Sequence, residues 1–144
     1  MALSRFDYYA PETIEEACSL AAKAGKGAMF MAGGTDLLIK IKRKLLNVSA
    51  VIDTKKIQEL NKITFDEKDG LVIGSTVTLT EIENHPLIKE KYPAIADAAA
   101  ATANVQIRNM ASIAGNLCNA APSAENAPVL LAMGAGVTDC FKTG

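Results

Sequence analysis

Apolar positions recur at helical spacing in residues 13–24, TIEEACSLAAKA, where Ile14, Ala17, Cys18, Ala21 and Ala22 share one face. Thr13, followed three residues later by Glu16, is a capping-box pattern at the start of that predicted helix. The GKG at 25–27 supplies its stop, because glycine tolerates the left-handed conformation common at helix ends. Residues 28–32, AMFMA, read as a short buried strand, and residues 36–46, DLLIKIKRKLL, return to helical spacing with Leu37, Ile41 and Leu45 on one side. Lys42, Arg43 and Lys44 fall at the end of this second helix, where cations meet the exposed carbonyls, so they read as a solvated face. AVIDT at 50–54 predicts another strand, and the polar KKIQELNK after it marks a lobe boundary.

The following stretch, KITFDEKDGLVIGSTVTLTEI, alternates on both sides of Asp69-Gly70 and is rich in β-branched residues, which predicts a hairpin. Thr80 and Glu83 have the spacing of a further capping box. Pro86 and Pro93 punctuate short helical pieces, and the small residues of AIADAAAATA at 94–103 predict a smooth helix able to lie close to a neighbour. Residues 104–126, NVQIRNMASIAGNLCNAAPSAEN, differ in kind: rich in Asn, Ser and Gly and weakly periodic, they predict a long functional loop between two helices. AENAPVLLAMG resumes a helix, and GVTDCFKTG begins a strand.

A length of 144 residues with about half of them hydrophobic is enough to bury a core, in one domain or two small lobes. Fifteen basic against sixteen acidic residues leave a formal charge of −1, so no overall field draws nucleic acid or an anionic membrane. Four Phe, three Tyr and no Trp supply a base-stacking platform poorly. Cys18, Cys118 and Cys140 are odd in number and far apart, which argues against a disulfide framework and a structural zinc site and points to a reducing cytosol. No basic segment precedes an apolar stretch at the N-terminus, and no run approaches the roughly 18 apolar residues of a spanning helix. The expected protein is neither exported nor embedded in a membrane.

The chemistry concentrates in two glycine-containing stretches. In FMAGGTDLL, Gly33 and Gly34 can turn successive N–H groups inward and Thr35 adds a hydroxyl, a combination suited to a phosphate or diphosphate. Asp36 would repel such an anion, so it is expected either to cap the helix or to accept from a sugar or ring hydroxyl. A tight turn with a helix cap is the plainer explanation of the same residues. ASIAGNL repeats the ingredients, with Ser112 as hydroxyl donor, Gly115 for close approach and Asn116 able both to donate and to accept. Two such turns can embrace one diphosphate. The GKG segment lacks the Gly-x4-Gly-Lys-Ser/Thr phosphate-loop pattern, and the absence of Gly-x-Gly-x-x-Gly and of regular βαβ alternation argues against a Rossmann solution. His85, the one histidine, reads as a turn residue in NHP. Arg108 can neutralise a phosphate, meet a partner or hold the second loop by an ion pair, and Cys118 reads as a small buried hydrophobe. No side chain stands out as acid, base or nucleophile, which fits a protein whose reactive group comes from a cofactor.

AGGTDLL together with QIRNMASIAGNLCNAAPSAENAP resembles the FAD-binding medium subunit or domain of the molybdenum hydroxylases, the group containing xanthine dehydrogenase and bacterial carbon monoxide dehydrogenase. The resemblance runs from FDYYAPETIEEA to LLAMGA. It places Ala32, Gly33, Gly34, Thr35 and Asp36 on a first FAD loop and Ser112, Ile113, Ala114, Gly115 and Asn116 on a second, both around the diphosphate. Glu125 stands where the family usually has an Asp directed at the adenosine half, and Ala114 where a second glycine is usual. The implied fold is α+β, a two-lobed FAD-binding domain with a small N-terminal α/β lobe at 1–55 and a larger mixed lobe at 56–144, not Rossmann. Because the family's flavin subunit continues further, the resemblance implies an incomplete second lobe and an absent C-terminal domain. The implied role is electron transfer within an oxidoreductase and not activity alone. An iron–sulfur subunit and a molybdenum-cofactor subunit would be partners in a cytoplasmic hetero-oligomer, with NAD or another acceptor taking the electrons. Two alternatives stay open: an assembly module that binds its partners without flavin, and loops that hold another nucleotide diphosphate.

Overall fold

The computed structural model describes residues 5–121 and 124–139. Its first half is built on a parallel three-stranded sheet of β1 (Asp7–Tyr9), β2 (Ala28–Met31) and β3 (Ala50–Asp53) in the order β1-β3-β2. The connection from β1 passes over β3 to reach β2 through α1 (Ile14–Ala24), and the connection from β2 returns to β3 through α2 (Leu37–Lys42). Because crossovers of one hand that run in opposite directions must use opposite faces, the two helices cover both sides of β3. Ala17 of α1 packs with Ile52 and Ala28, while Ile41 of α2 packs with Val51, Met29 and Met31. All four residues of β3 are consequently buried.

Thus the chain does contain a regular parallel βαβαβ unit, contrary to the sequence expectation. The reason lies in β1, whose three residues are all exposed and give no apolar signature. The strand order still departs from a Rossmann half, in which consecutive strands are neighbours. At α1, Thr13 caps the Glu16 amide as expected, but the Glu16 carboxylate receives the Glu12 N–H, and Gly25 closes the helix at φ 67°. Helix α2 is shorter than its hydrophobic spacing suggests. Lys44 takes φ 57°, its amide bonds the Ile41 carbonyl and the Leu45 amide bonds Lys40, a Schellman ending that turns Leu45 out to 67% exposure.

The second half opens with the expected hairpin, β4 (Ile63–Asp66) and β5 (Gly70–Ile73), antiparallel in the register Asp66↔Gly70. The Asp66 carboxylate accepts from the amides of Lys68 and Asp69 and so pins the turn. Six helical segments follow: α3 (Leu79–Asn84), α4 (Pro86–Lys91), α5 (Pro93–Ala101), α6 (Val105–Arg108), α7 (Ile113–Asn119) and α8 (Asn126–Ala132). Val77, Leu79, Ile82, Ile88, Ile95, Ala96, Ala99 and Ile113 form one core, and the small residues of α5 let it lie against α3, α4 and α8. No helix of the described residues is long and apolar enough to cross a membrane.

Three expectations are corrected here. The capping box at α3 is made by Thr78 and Glu81, whereas Thr80 bonds Asn109 and Glu83 pairs with Arg108. The stretch 104–126 is not one irregular loop: Asn104 caps α6 and Ser112 caps α7 through their own side chains, so polar residues that looked like loop composition are helix starts. Residues 136–139 are not in a strand, and the rest of that predicted strand lies outside the described residues.

Thr78 accepts the Glu81 amide and donates its own amide and hydroxyl to the Glu81 carboxylate. Thr78→Ala is expected to cost about 1 kcal/mol in urea denaturation. A change of no more than a few tenths would contradict this cap assignment.

Candidate functional site

The first glycine stretch leaves the carboxyl end of β2, the edge at which parallel sheets commonly receive ligands. Gly34 holds φ 72°, a left-handed angle natural to glycine. Gly33 is required for another reason: a Cβ there would run into the backbone carbonyl of Met110. Met110 and Ala111 lead directly into the second stretch, so the two glycine segments, far apart in sequence, are packed against each other. Among the described residues no hydrogen bond uses the amides of Gly33, Gly34, Thr35 or Asp36, and the Thr35 hydroxyl has no partner. Asp36 precedes α2 with helical backbone angles and makes no side-chain cap, which removes one of its two expected roles; its side chain is exposed.

The second segment is fixed from the other lobe. Ser112 bridges Thr78, and the Leu79 amide donates to the Ala111 carbonyl at 2.9 Å. Ser112 is 2% exposed and its hydroxyl oxygen accepts the Gly115 amide at 3.0 Å, so its lone pair serves the turn. The Ile113 side chain belongs to the core, which leaves only its backbone for a ligand. Ala114 is half-buried, and a Cβ on Gly115 would meet only the Ser112 Oγ, at 3.1 Å, so this glycine makes no close approach like that of Gly33. Asn116 is half-buried and Glu125 is exposed at the start of α8, with no side-chain cap bond. Lys40 of α2 donates to Asn119 Oδ1 of α7 at 2.5 Å, a second tie between the helices that follow the two segments.

A brace under the first segment escaped the sequence reading. Tyr8 OH donates to Asp53 Oδ2 at 2.6 Å, the Lys55 ammonium reaches the same oxygen at 2.6 Å, and it also donates to the Ala32 carbonyl at 3.0 Å. The Thr54 hydroxyl donates to the Met31 carbonyl at 3.1 Å. The available signal is the run DTKK at the end of β3, on the ligand edge of the sheet; the sequence expectation divides it between a strand ending at Thr54 and the lobe boundary that follows. Burial opposes ionisation of Asp53, but hydrogen bonds from the Lys55 side chain, Tyr8 and the Lys55 amide, with the Lys55 charge, outweigh it and hold the carboxyl below its ordinary range. The hydrogen bond to Asp53, then desolvation and the nearby carboxylate charge, push the Tyr8 phenol up.

Of the remaining candidates, Arg108 pairs with Glu83 at 3.1 Å and donates to the carbonyls of Thr102 and Ala103, so it holds the loop between α5 and α6. His85 is a turn residue between α3 and α4. Cys118 is exposed on α7, not buried as expected, and Cys140 lies outside the described residues.

Residues 4–139 match the family described as the FAD binding domain in molybdopterin dehydrogenase. The chain is 36% identical over 133 residues to the nicotinate dehydrogenase FAD-subunit of Eubacterium barkeri, covering 92% of this chain and 45% of that one. It is 37% identical over 125 residues to a putative xanthine dehydrogenase FAD-binding subunit of Escherichia coli (strain K12), covering 86% and 42%. Reconstituted carbon monoxide dehydrogenase from Oligotropha carboxidovorans superposes with a TM-score of 0.83 at 31% identity, over 88% of this chain and 44% of that one. The chain thus spans less than half the length of these relatives.

The Asp53 brace carries a pH signature. A depressed carboxylate contributes stability that is fully present above its unfolded value of about 3.9 and is lost as pH falls through the lower folded value. Asp53→Asn is therefore expected to lower the urea midpoint at neutral pH, with the gap to the parent closing below about pH 4. A gap that stays constant from neutral to strongly acidic pH would contradict the brace.

Proposed function

This chain belongs to the FAD-binding domain family of the molybdopterin dehydrogenases, and from that premise we propose that it grips the diphosphate of FAD between its two glycine segments as the electron-transfer component of a molybdenum hydroxylase-type oxidoreductase. The observation that carries this reading is the seating of Gly33 on the Met110 carbonyl, which brings the segments together while the amides of residues 33–36 remain unpaired. Amides in this state suit a phosphate that accepts several hydrogen bonds. FAD supplies the ring that carries electrons.

The chain's own residues bind and orient. The amides of Gly33, Gly34 and Thr35 with the Thr35 hydroxyl, and the backbone of Ser112 to Ala114, hold the diphosphate from two sides, while the Gly115 amide stays on the Ser112 hydroxyl. Asp36, uncommitted as a cap, accepts from a hydroxyl of the ligand, and Glu125 serves the adenosine half. Lys55 keeps the Ala32 carbonyl turned back into the brace, away from the anion. Ala32 is in this way a backbone anchor of the site. The two lobes, residues 1–55 and 56–144, meet at the ligand. Electrons arrive from an iron–sulfur subunit, after a molybdenum-cofactor subunit oxidises the substrate, and leave to NAD or another acceptor within a cytoplasmic hetero-oligomer. The similarity to FAD subunits of nicotinate and xanthine dehydrogenases supports this placement.

Titrating FAD with the purified chain, followed by flavin fluorescence polarisation, is expected to give saturable binding. Gly33→Ala is expected to weaken it by about tenfold or more, about 1.4 kcal/mol, because the added Cβ drives the segments apart. Unchanged affinity in a folded Gly33→Ala protein would contradict the shared grip. Equal competition by ADP-ribose would favour a general nucleotide-diphosphate site, and a colourless stable complex with partner subunits would favour an assembly module.

A further inference from the structure

We propose that Asn126, held by Thr102, is a positioning residue that fixes which end of the Asn116 side-chain amide is offered to the ligand, leaving its NH2 as a donor. The inference rests on the reading that the second glycine segment holds the FAD diphosphate. It follows from a chain of hydrogen bonds whose polarity is forced from one end. The Ala98 carbonyl can only accept, so at 2.9 Å the Thr102 hydroxyl must spend its single proton there. Thr102 Oγ1 therefore meets Asn126, 3.0 Å away, with a lone pair, and the Asn126 atom facing it must be the NH2. The same NH2 lies 3.3 Å from the Asn116 amide, so the Asn116 atom on that side is its carbonyl oxygen. The NH2 of Asn116 then has no partner among the described residues.

Two further observations bear on this, the first a cost of the orientation and the second a parallel to it. Asn126 is 1% exposed and its own Oδ1 is buried without a hydrogen-bond partner, so its present orientation leaves an acceptor unsatisfied. Three residues along α7, Asn119 is oriented the same way by an independent device: its carbonyl accepts from the Lys40 ammonium, which can only donate. Both amides of α7 thus have their acceptor ends tied within the protein. For a ligand that presents phosphate oxygens the sign of the interaction depends on this polarity, since an NH2 donates to them whereas a carbonyl oxygen repels them.

The test combines a ligand-free readout with FAD titration of the full chain. Asn126→Asp keeps the shape but offers only acceptors, so Asn116 is expected to turn its NH2 inward. In side-chain amide NMR spectra of the unaltered chain without FAD, the Asn126 NH2 should exchange slowly with solvent and the Asn116 NH2 rapidly. In Asn126→Asp the Asn116 NH2 should become slow. FAD affinity should fall by about tenfold in Asn126→Asp, and less in the isosteric Thr102→Val, where Asn126 is no longer held to one orientation. In an Asn116→Ala background the Asn126→Asp change should have less than about a twofold further effect, because its route to the ligand is gone. A protected Asn116 NH2 in the unaltered chain, or affinity losses that simply multiply in the double variant, would overturn the proposal. The expected exchange pattern with no FAD binding by the unaltered chain would leave the amide orientation standing and sink the flavin reading.

Discussion

The candidate site depends on one steric constraint, the absence of a side chain on Gly33 where the backbone meets the Met110 carbonyl. Everything on the first side of that contact belongs to a parallel sheet whose central strand is buried on both faces. On the second side lie a hairpin and a helical core, in which Ser112 is pinned by its bridge to Thr78 and Ile113 is part of the packing. Neither segment supplies a complete cradle. Brought together, they place unpaired amides from the first beside a capped helix start from the second.

Rigid supports lie behind both segments, and they are polar. On the sheet side Asp53 gathers Tyr8 and Lys55, and Lys55 passes the restraint on to the Ala32 carbonyl. On the helical side Thr102 is a junction: its carbonyl receives Arg108 and its hydroxyl receives Asn126. Polar groups in such supports cost desolvation where they are buried, as Asp53, Thr102 and Asn126 are, and among these the Asn126 Oδ1 lacks a partner. Such supports hold a binding segment to one geometry before the ligand arrives, which reduces the ordering that binding must impose.

Much of this was legible in the sequence where the physics is local. The hairpin at Asp69-Gly70, the first helix with its Thr13 cap and the two glycine segments follow from short-range turn chemistry and periodicity. The misreadings have two causes, dependence on distant residues and local cap chemistry that resembles loop composition. β1 is three exposed residues made into a strand only by pairing with β3. The 104–126 stretch looked irregular because Asn104 and Ser112, which favour loops by composition, here cap helices. Residue types in the candidate site were visible in sequence, but Gly33 meeting Met110, Lys55 reaching Ala32 and Asn126 reaching Asn116 are long-range contacts that no local pattern encodes.

The most direct measurement is an FAD titration of the isotope-labelled chain, following the backbone amide signals of residues 33–36 and 112–115 together. A diphosphate shared between the two segments requires both groups of signals to move and to saturate along one binding curve. If one group shifts while the other stays still, or if the two saturate at different concentrations, the segments do not grip a common ligand.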